Sequence, residues 1–242
     1  GACHACAHDG HMAILMGVAS LLARRKEKFR GRVVFLFQPA EELPPGGAKL
    51  MIEGGALDAV DAIFGLHLWQ LLPTGTVGIV RGAMMAQTAN FRIAVKGKGG
   101  HGSMPHTAVD PILIASHLVV NLQSIVSRNV DPLKPAVLSF GTVEGGTVYN
   151  IIPGEVRLSG TTRALDSCVL DLMERRLREV SEDTCRAFGA QAAIEYEKGY
   201  PPLVNDFAMA DFVADVARRI LGEDCVKAIE PVSYTHLRAH ET

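Results

Sequence analysis

The sequence has no excess of positive charge and no long hydrophobic run. Lys and Arg number 24 against 26 Asp and Glu, a net charge of −2, and the basic residues form no stripe. A nucleic-acid-binding protein needs clustered basic side chains to contact phosphates. The unbroken apolar runs, such as residues 12–16 and 33–37, are much shorter than the roughly 18–20 residues that span a bilayer. Neither a nucleic-acid binder nor a membrane-spanning protein is therefore expected.

The sequence also lacks a disulfide framework. Its five cysteines are an odd number and are spaced without a regular pattern. This pattern favours a reducing, cytoplasmic compartment over a secreted protein. We therefore expect thiols or metal ligands at the cysteine positions.

The composition is that of a folded globular chain. Hydrophobic residues make up 48% of the 242 positions and charged residues 21%, which allows one large domain or two modest ones. The chain opens with Gly1 and shows no signal-peptide core, so we expect a preceding segment to be missing. Residues 233–242 (SYTHLRAHET) resemble translated cloning or adaptor sequence, and we expect a non-native tail there.

The first part of the chain has the pattern of a βαβ unit. Apolar residues at helical spacing predict a helix over residues 10–25, followed by a buried strand at 32–37. A Pro- and Gly-containing turn, a short helix at 48–53 and a strand at 62–68 complete the unit. The order predicts a mainly parallel sheet in an α/β catalytic domain over residues 1–89.

The pattern changes near residue 90. Alternating apolar residues predict strands at 91–95, 136–143, 155–161 and 190–196. Between them, helices are predicted at 110–126 and 165–180. The order βαββαβ is that of a ferredoxin-like α+β domain with an antiparallel four-stranded sheet. We therefore predict an inserted domain over residues 90–204. A last helix over residues 207–221 predicts a return of residues 205–232 to the catalytic domain.

The first residues form a dense cluster of metal-ligand side chains. These are Cys3, His4, Cys6, His8, Asp9 and His11. The spacing of the first two cysteines, C-x-x-C, is compatible with a redox site, but no strand precedes it, and a c-type haem site requires His directly after the second Cys. A zinc or related transition-metal site remains, and so does the alternative that the histidines merely cap a helix.

Two downstream features favour the metal site. Glu41 and Glu42 follow the strand at 32–37, where α/β sheets place their functional side chains, although a solvated acidic loop would have the same sequence. His67 ends the next strand and could equally be an ordinary core histidine. If these residues meet at one sheet edge, they supply ligands for two metals that together activate a water.

Several segments in order resemble the two-metal metallopeptidase superfamily. CHACAHDGH resembles its H-A-C-G-H-D-x-H motif, QPAEE its catalytic segment and GLHLW its third metal motif. GKGGHGSMPH, NIIP and GTTR resemble its lid domain, so the resemblance covers residues 1 to about 231. The closest branch is that of the aminoacylases, hippurate hydrolases and auxin-conjugate amidohydrolases.

The resemblance implies a role for each matching residue. Cys6 bridges two divalent metals (zinc, manganese, cobalt or nickel), and His8, Glu42 and His67 are further ligands. Glu41 is the general base. Ala7 departs from the family Gly, and it would be strained if the position requires positive φ. The family's fifth ligand, a later His, is not expected in this chain, so activity is expected of its parent protein rather than of the chain itself.

The resemblance also assigns residues of the lid. His101 reaches the partner's active site across a homodimer interface and donates a hydrogen bond to the oxyanion. Asn150 and Arg163 bind the substrate, the latter by pairing with a carboxylate. From the residues alone, His101 would be an ordinary loop histidine, and Asn150 and Arg163 could be surface residues.

The function that follows is hydrolysis of N-acyl amino acids to a carboxylate and a free amino acid. The substrate is a small molecule, and neither nucleic acid nor a membrane is expected as a partner. A dipeptidase or carboxypeptidase of the same superfamily is the nearest alternative. A catalytically inactive metal-binding or dimerisation fragment is the alternative from another class.

Overall fold

The structure is a computed structural model that describes residues 6–43 and 46–232. The sequence predictions for Cys3, His4 and the 233–242 tail lie outside the described residues. The chain divides into two compact units. Their described parts are residues 6–43 with 46–76, and residues 77–232.

The first unit contains the two helices that the sequence predicts. Helix α1 (His8–Ala23) is followed by a 3₁₀ turn (Lys26–Lys28), and α2 (Gly47–Glu53) follows later. The apolar spacing of residues 10–25 is typical of a helix, and α1 confirms it.

The predicted strands at 32–37 and 62–68 are not found. Neither segment belongs to a strand among the described residues. Val33, Val34 and Phe37 are 44–47% exposed, whereas a strand of a parallel sheet is covered on both faces. An apolar run becomes a strand only when neighbouring strands pair with its main chain, and neither run has such a partner in the part of the chain described. The mainly parallel sheet therefore stays a prediction.

The second unit contains all the strands of the described residues. In chain order they are β1 (Val77–Ile79), β2 (Gly82–Met85), β3 (Gln87–Lys96), β4 (Gly100–His101), β5 (Ala136–Gly145), β6 (Ile151–Ile152), β7 (Glu155–Ala164), β8 (Gln191–Lys198), β9 (Leu203–Asn205) and β10 (Val226–Ala228). Its helices are α3 (Pro111–Ser124), α4 (Ser167–Ala187) and α5 (Phe207–Leu221). Shorter turns of helix lie at Pro105–Thr107, Ile125–Asn129 and Glu223–Cys225.

The four long strands form one antiparallel sheet in the order β5-β7-β3-β8. With α3 between β3 and β5, and α4 between β7 and β8, the order of elements is βαββαβ. This confirms the antiparallel four-stranded sheet that the sequence predicts. Strand β3 lies at the centre, where Phe91 is paired with Gly160 of β7 and with Tyr196 of β8.

The core of this unit lies between the sheet and its two helices. Alternate residues of β3 are buried, and α3 and α4 cover them with apolar side chains three or four positions apart. The largest fully buried side chains include Phe91, Ile93, Ile114, Leu118, Leu122, Leu158, Leu170, Met173 and Leu177. Burial of this apolar surface is the main source of the unit's stability.

Aspartates cap the three helices of the second unit. Asp110 accepts hydrogen bonds from Ile112 N and Leu113 N at the start of α3. Asp166 accepts from Cys168 N, and Asp206 from Met209 N. These side chains satisfy amide groups that the first helical turn leaves without a partner.

Short strands join residues 77–85 to the last part of the chain. Strand β1 pairs in parallel with β10, Val77 lying opposite Val226, and β2 pairs antiparallel with β9. Segments that precede and follow the four-stranded sheet in the sequence are thus paired with each other. No helix in the described part of the chain is both long and apolar enough to cross a membrane.

Candidate metal centre

The start of α1 carries two of the predicted ligands in an unusual backbone conformation. Ala7, between Cys6 and His8, has φ 59° and ψ 27°, the left-handed region. This is the strain that the sequence predicts for an Ala at the usual Gly position, because a Cβ in this region contacts the following carbonyl. No side chain among the described residues caps α1, in contrast to the aspartate-capped helices of the second unit.

The carboxylate pair meets the first imidazole. Glu41 Oε2 and Glu42 Oε1 both lie 3.6 Å from His8 Nε2. Ala40, directly before the pair, also has a positive φ of 52°. Left-handed alanines therefore precede both His8 and Glu41, and strain of this kind is concentrated at functional sites.

His67 joins the same group from the third segment. Its Nε2 lies 3.4 Å from Cys6 Sγ, and its Nδ1 donates a hydrogen bond of 2.6 Å to Leu68 O. The ligand atoms of Cys6, His8 and His67 lie within 4.8 Å of one another, as do those of His8, Glu41 and Glu42. The structure thus brings together the residues that the sequence predicts for the metals and for the general base.

The electrostatics of this group favour a cation. Burial raises the pKa of the Cys6 thiol to about 12, and so do the hydrogen bond to Glu42 and the charges of Glu42 and Glu41. The Glu41 side chain is 39% exposed, yet its Oε2 is buried and makes no hydrogen bond to the described residues. Thiol, imidazole and carboxylate are the donors that zinc and its neighbours prefer, so the residues present fit a divalent metal.

His11, one of the candidate ligand side chains of the first residues, also belongs to this group, although the resemblance assigns it no role. It lies one turn after His8 on α1, with the two ring centroids 5.5 Å apart, and its ring is 4.4 Å from that of His67. Its Nε2 accepts a hydrogen bond of 2.9 Å from Leu68 N. The i,i+3 spacing in the CHACAHDGH segment indicates the shared helix face, but nothing in the sequence indicates the main-chain partner.

His101, which the resemblance assigns to a lid, lies on the small ribbon formed by β4 and β6. His101 pairs with Ile151, and Gly102 N donates to Asn150 O over 2.8 Å, so the ribbon brings His101 and Asn150 together. His101 Nδ1 lies 3.2 Å from Ser103 N and 2.7 Å from Ser103 Oγ. A backbone amide can only donate, so Nδ1 is the acceptor and the neutral ring carries its proton on Nε2.

Arg163 lies elsewhere, on the four-stranded sheet. It is half-buried on β7, between Thr88 of β3 and Val137 of β5. The structure therefore places His101 on the ribbon, Asn150 directly before β6 and Arg163 on the sheet.

Comparison with known proteins gives a family match over almost the whole chain. Residues 1–238 match peptidase family M20/M25/M40. The chain is 45% identical over 205 residues to the N-acyl-L-amino acid amidohydrolase of Geobacillus stearothermophilus, covering 85% of the chain and 55% of that protein. It is 43% identical over 219 residues to the N-acetyl-L-cysteine deacetylase of Bacillus subtilis, covering 90% of the chain and 52% of that protein.

A solved structure has the same fold. The YXEP protein of Bacillus subtilis, a dinuclear metal-binding peptidase of the M20 family, is 33% identical with a TM-score of 0.78. The match covers 96% of this chain and 58% of that one. The chain thus spans about half the length of the curated relatives it matches.

Proposed function

Because the chain belongs to peptidase family M20/M25/M40, we propose that it hydrolyses the amide bond of N-acyl amino acids to a carboxylate and an amino acid. The observation that carries the proposal is the proximity of these side chains. The ligand atoms of Cys6, His8 and His67 lie within 4.8 Å of one another, and so do those of His8, Glu41 and Glu42. The names of the amidohydrolase and deacetylase relatives support this class of substrate.

Cys6, His8, Glu42 and His67 are the residues that would hold two divalent cations. Zinc, manganese, cobalt and nickel are the candidates. The bound cations would supply positive charge that lowers the pKa of a water and stabilises the developing oxyanion. Cys6 suits a place among these ligands because Glu42 and His67 both contact its thiol.

Glu41 takes the proton of the attacking water and returns it to the leaving nitrogen. Its Oε2 suits this role because it is buried, lies beside His8 and makes no hydrogen bond to the described residues. A carboxylate held in this way has an acceptor lone pair for the water's proton.

His101 donates a hydrogen bond from Nε2 to the oxyanion of the substrate in the partner protomer of a homodimer. This role is supported by the hydrogen bond that His101 Nδ1 accepts from Ser103 N, because it leaves the proton of the neutral ring on Nε2. Asn150 and Arg163 bind the substrate, with Arg163 pairing its carboxylate.

We also propose that the domains have the roles predicted from the sequence. Residues 1–89 and 205–232 belong to a catalytic domain with a mainly parallel sheet, and residues 90–204 form the lid and dimerisation domain. The parallel pairing of β1 with β10 supports the return of the last segment. A cytoplasmic location is supported by the free thiols of Cys168, Cys185 and Cys225.

A dipeptidase or carboxypeptidase activity is the second candidate, favoured by the peptidase description of the YXEP structure. A panel of hippurate, N-acetyl amino acids and dipeptides separates the two, with products measured by chromatography. We expect acyl amino acids to have the larger kcat/KM. A larger value for dipeptides would reverse the order of the candidates.

Glu41→Gln tests the proposed chemistry. We expect a loss of hydrolysis of about 10²- to 10⁴-fold with metal still bound, the usual contribution of a general base. Glu53→Gln is the matched control, since Glu53 is exposed on α2 and its ion pair among the described residues is with Lys49 of the same helix. Retained hydrolysis in Glu41→Gln would refute the general-base role. Fewer than two metals per chain in the unaltered protein would favour the inactive fragment instead.

Mixing protomers tests the role of His101. A His101→Ala protomer mixed with a Glu41→Gln protomer should recover part of the activity, because one hybrid site then has both residues intact. No recovery would contradict action across a dimer.

A further inference from the structure

His11 and the main chain of Leu68 form a contact next to the proposed metal ligands. His11 Nε2 accepts from Leu68 N over 2.9 Å, while Leu68 O accepts from His67 Nδ1 over 2.6 Å. From this geometry we infer that His11 is a positioning residue, which holds the main chain at Leu68 and thereby orients the His67 imidazole to bind metal. The inference rests on the proposed function, because it assumes that His67 is a ligand.

The two hydrogen bonds determine the tautomers of both rings. Leu68 N can only donate, so His11 Nε2 has the lone pair and the neutral ring carries its proton on Nδ1. Leu68 O can only accept, so His67 carries its proton on Nδ1 and has its lone pair on Nε2. This is the nitrogen that lies 3.4 Å from Cys6 Sγ, the side on which a metal would be bound.

The segment that carries His67 depends on such contacts. Residues 62–68 form no strand with any described residue, so no ladder of main-chain hydrogen bonds holds them. Helix α1 approaches the segment closely at Gly10, where a Cβ would come within 2.7 Å of Leu68 Cδ1. His11 adds the polar contact at the same place. Hydrogen bonds that orient a metal-binding histidine are typically worth 10- to 100-fold in metal affinity.

His11 is a less suitable ligand than a positioning residue. Its Nε2 lone pair is used by Leu68 N, and the groups of described side chains at ligand distance include His8 and His67 but not His11. A ligand and a positioning residue respond differently to replacement by an amide. Gln offers an oxygen that can accept from Leu68 N, but it is a poor substitute for imidazole as a ligand of zinc.

The test compares His11→Gln with His11→Phe in the full 242-residue chain. Zn²⁺ affinity is measured by competition with a chelating dye, and Co²⁺ spectra report the ligand geometry. We expect Kd to rise about 10- to 100-fold for His11→Phe and to stay within about threefold for His11→Gln. In the metal-free chain, amide exchange at ¹⁵N-labelled Leu68 should be faster in His11→Phe than in His11→Gln.

His117→Phe is the matched control. His117 lies on α3 with its ring stacked 5.1 Å from Phe188, so Phe preserves the aromatic contact. We expect metal affinity equal to that of the unaltered chain. If His11→Phe does not fold, as judged by Trp69 fluorescence and circular dichroism, His11→Ala replaces it as the variant without an acceptor.

Two outcomes would overturn the inference. The first is an unchanged Kd in the folded variant without an acceptor. The second is an equal loss of affinity in His11→Gln and His11→Phe, which would make His11 a ligand. Failure of the unaltered chain to bind any of the four candidate metals (zinc, manganese, cobalt and nickel) would instead refute the proposed function on which the inference rests.

Discussion

The left-handed backbone of Ala7 makes Ala7→Gly a stabilising substitution. An L-residue pays roughly 1–2 kcal/mol for this region of φ and ψ, and Gly does not. Gly also lowers the free energy of unfolding by about 0.4–1 kcal/mol, because it increases the conformational entropy of the unfolded chain. We therefore expect the free energy of unfolding of the first unit to rise by about 1 kcal/mol.

Ala13→Gly is the matched control in the same helix. Ala13 is exposed in the interior of α1, where the same replacement costs about 1 kcal/mol in helix propensity. Identical chemical changes at residues 7 and 13 should thus have opposite signs and differ by about 2 kcal/mol. Ala40→Gly, at φ 52°, should behave like Ala7→Gly.

The assay uses the single tryptophan of the chain. Trp69 lies in the first unit, with its ring 5.7 Å from that of His67, so its fluorescence reports the unfolding of that unit in urea. Metal-free protein is used, because bound metal would add its own stabilisation. If Ala7→Gly proves no more stable than the unaltered chain while Ala13→Gly is destabilised as expected, the strain argument is wrong.

Three further substitutions test other parts of the chain. Ser103→Ala removes the 2.7 Å contact at His101 Nδ1, and we expect about a two- to tenfold fall in kcat/KM on N-acyl amino acids; an unchanged value would contradict the positioning of that ring by Ser103. Asp166→Ala should lower the free energy of unfolding of the second unit by about 1 kcal/mol through loss of the α4 cap, measured by urea denaturation. The hydrogen bond from Lys134 lowers the pKa of Asp166 in the folded chain, so this carboxylate contributes its full stability above its unfolded pKa. The stability difference between Asp166→Ala and the unaltered chain should therefore shrink as pH falls through the folded pKa of Asp166. Leu118→Ala should cost about 2–5 kcal/mol in the same assay, since Leu118 is fully buried in the core; a loss below 1 kcal/mol would contradict that packing.

Helices and the antiparallel sheet could be predicted because their signals are local. The last helix, predicted over residues 207–221, coincides with α5. The ends of strands were predicted less well. Strand β3 extends over Gln87–Lys96 rather than 91–95, because pairing with β7 and β8 continues past the apolar alternation. Strand ends depend on partners distant in sequence, and alternation does not encode them.

The same reasoning explains the failure at residues 32–37 and 62–68. Their apolar composition is that of buried strands, yet composition carries no information on whether paired neighbours are present. That Cys6, His8, Glu41, Glu42 and His67 lie together could be predicted, since donor type and resemblance identify them, whereas their roles stay a prediction. The function of His11 could not be predicted, because it depends on a single ring nitrogen and on a main-chain partner 57 residues away.

Leu68 makes its hydrogen bonds to the two histidines through its main chain. Most amino acids at position 68 would preserve both hydrogen bonds, because every residue has a carbonyl and all but proline have an amide hydrogen. Sequence variability at this position would therefore conceal its importance, and proline would be the informative exception. Anyone transplanting this centre into another scaffold would have to reproduce the path of the backbone after His67 as well as the side chains that bind metal.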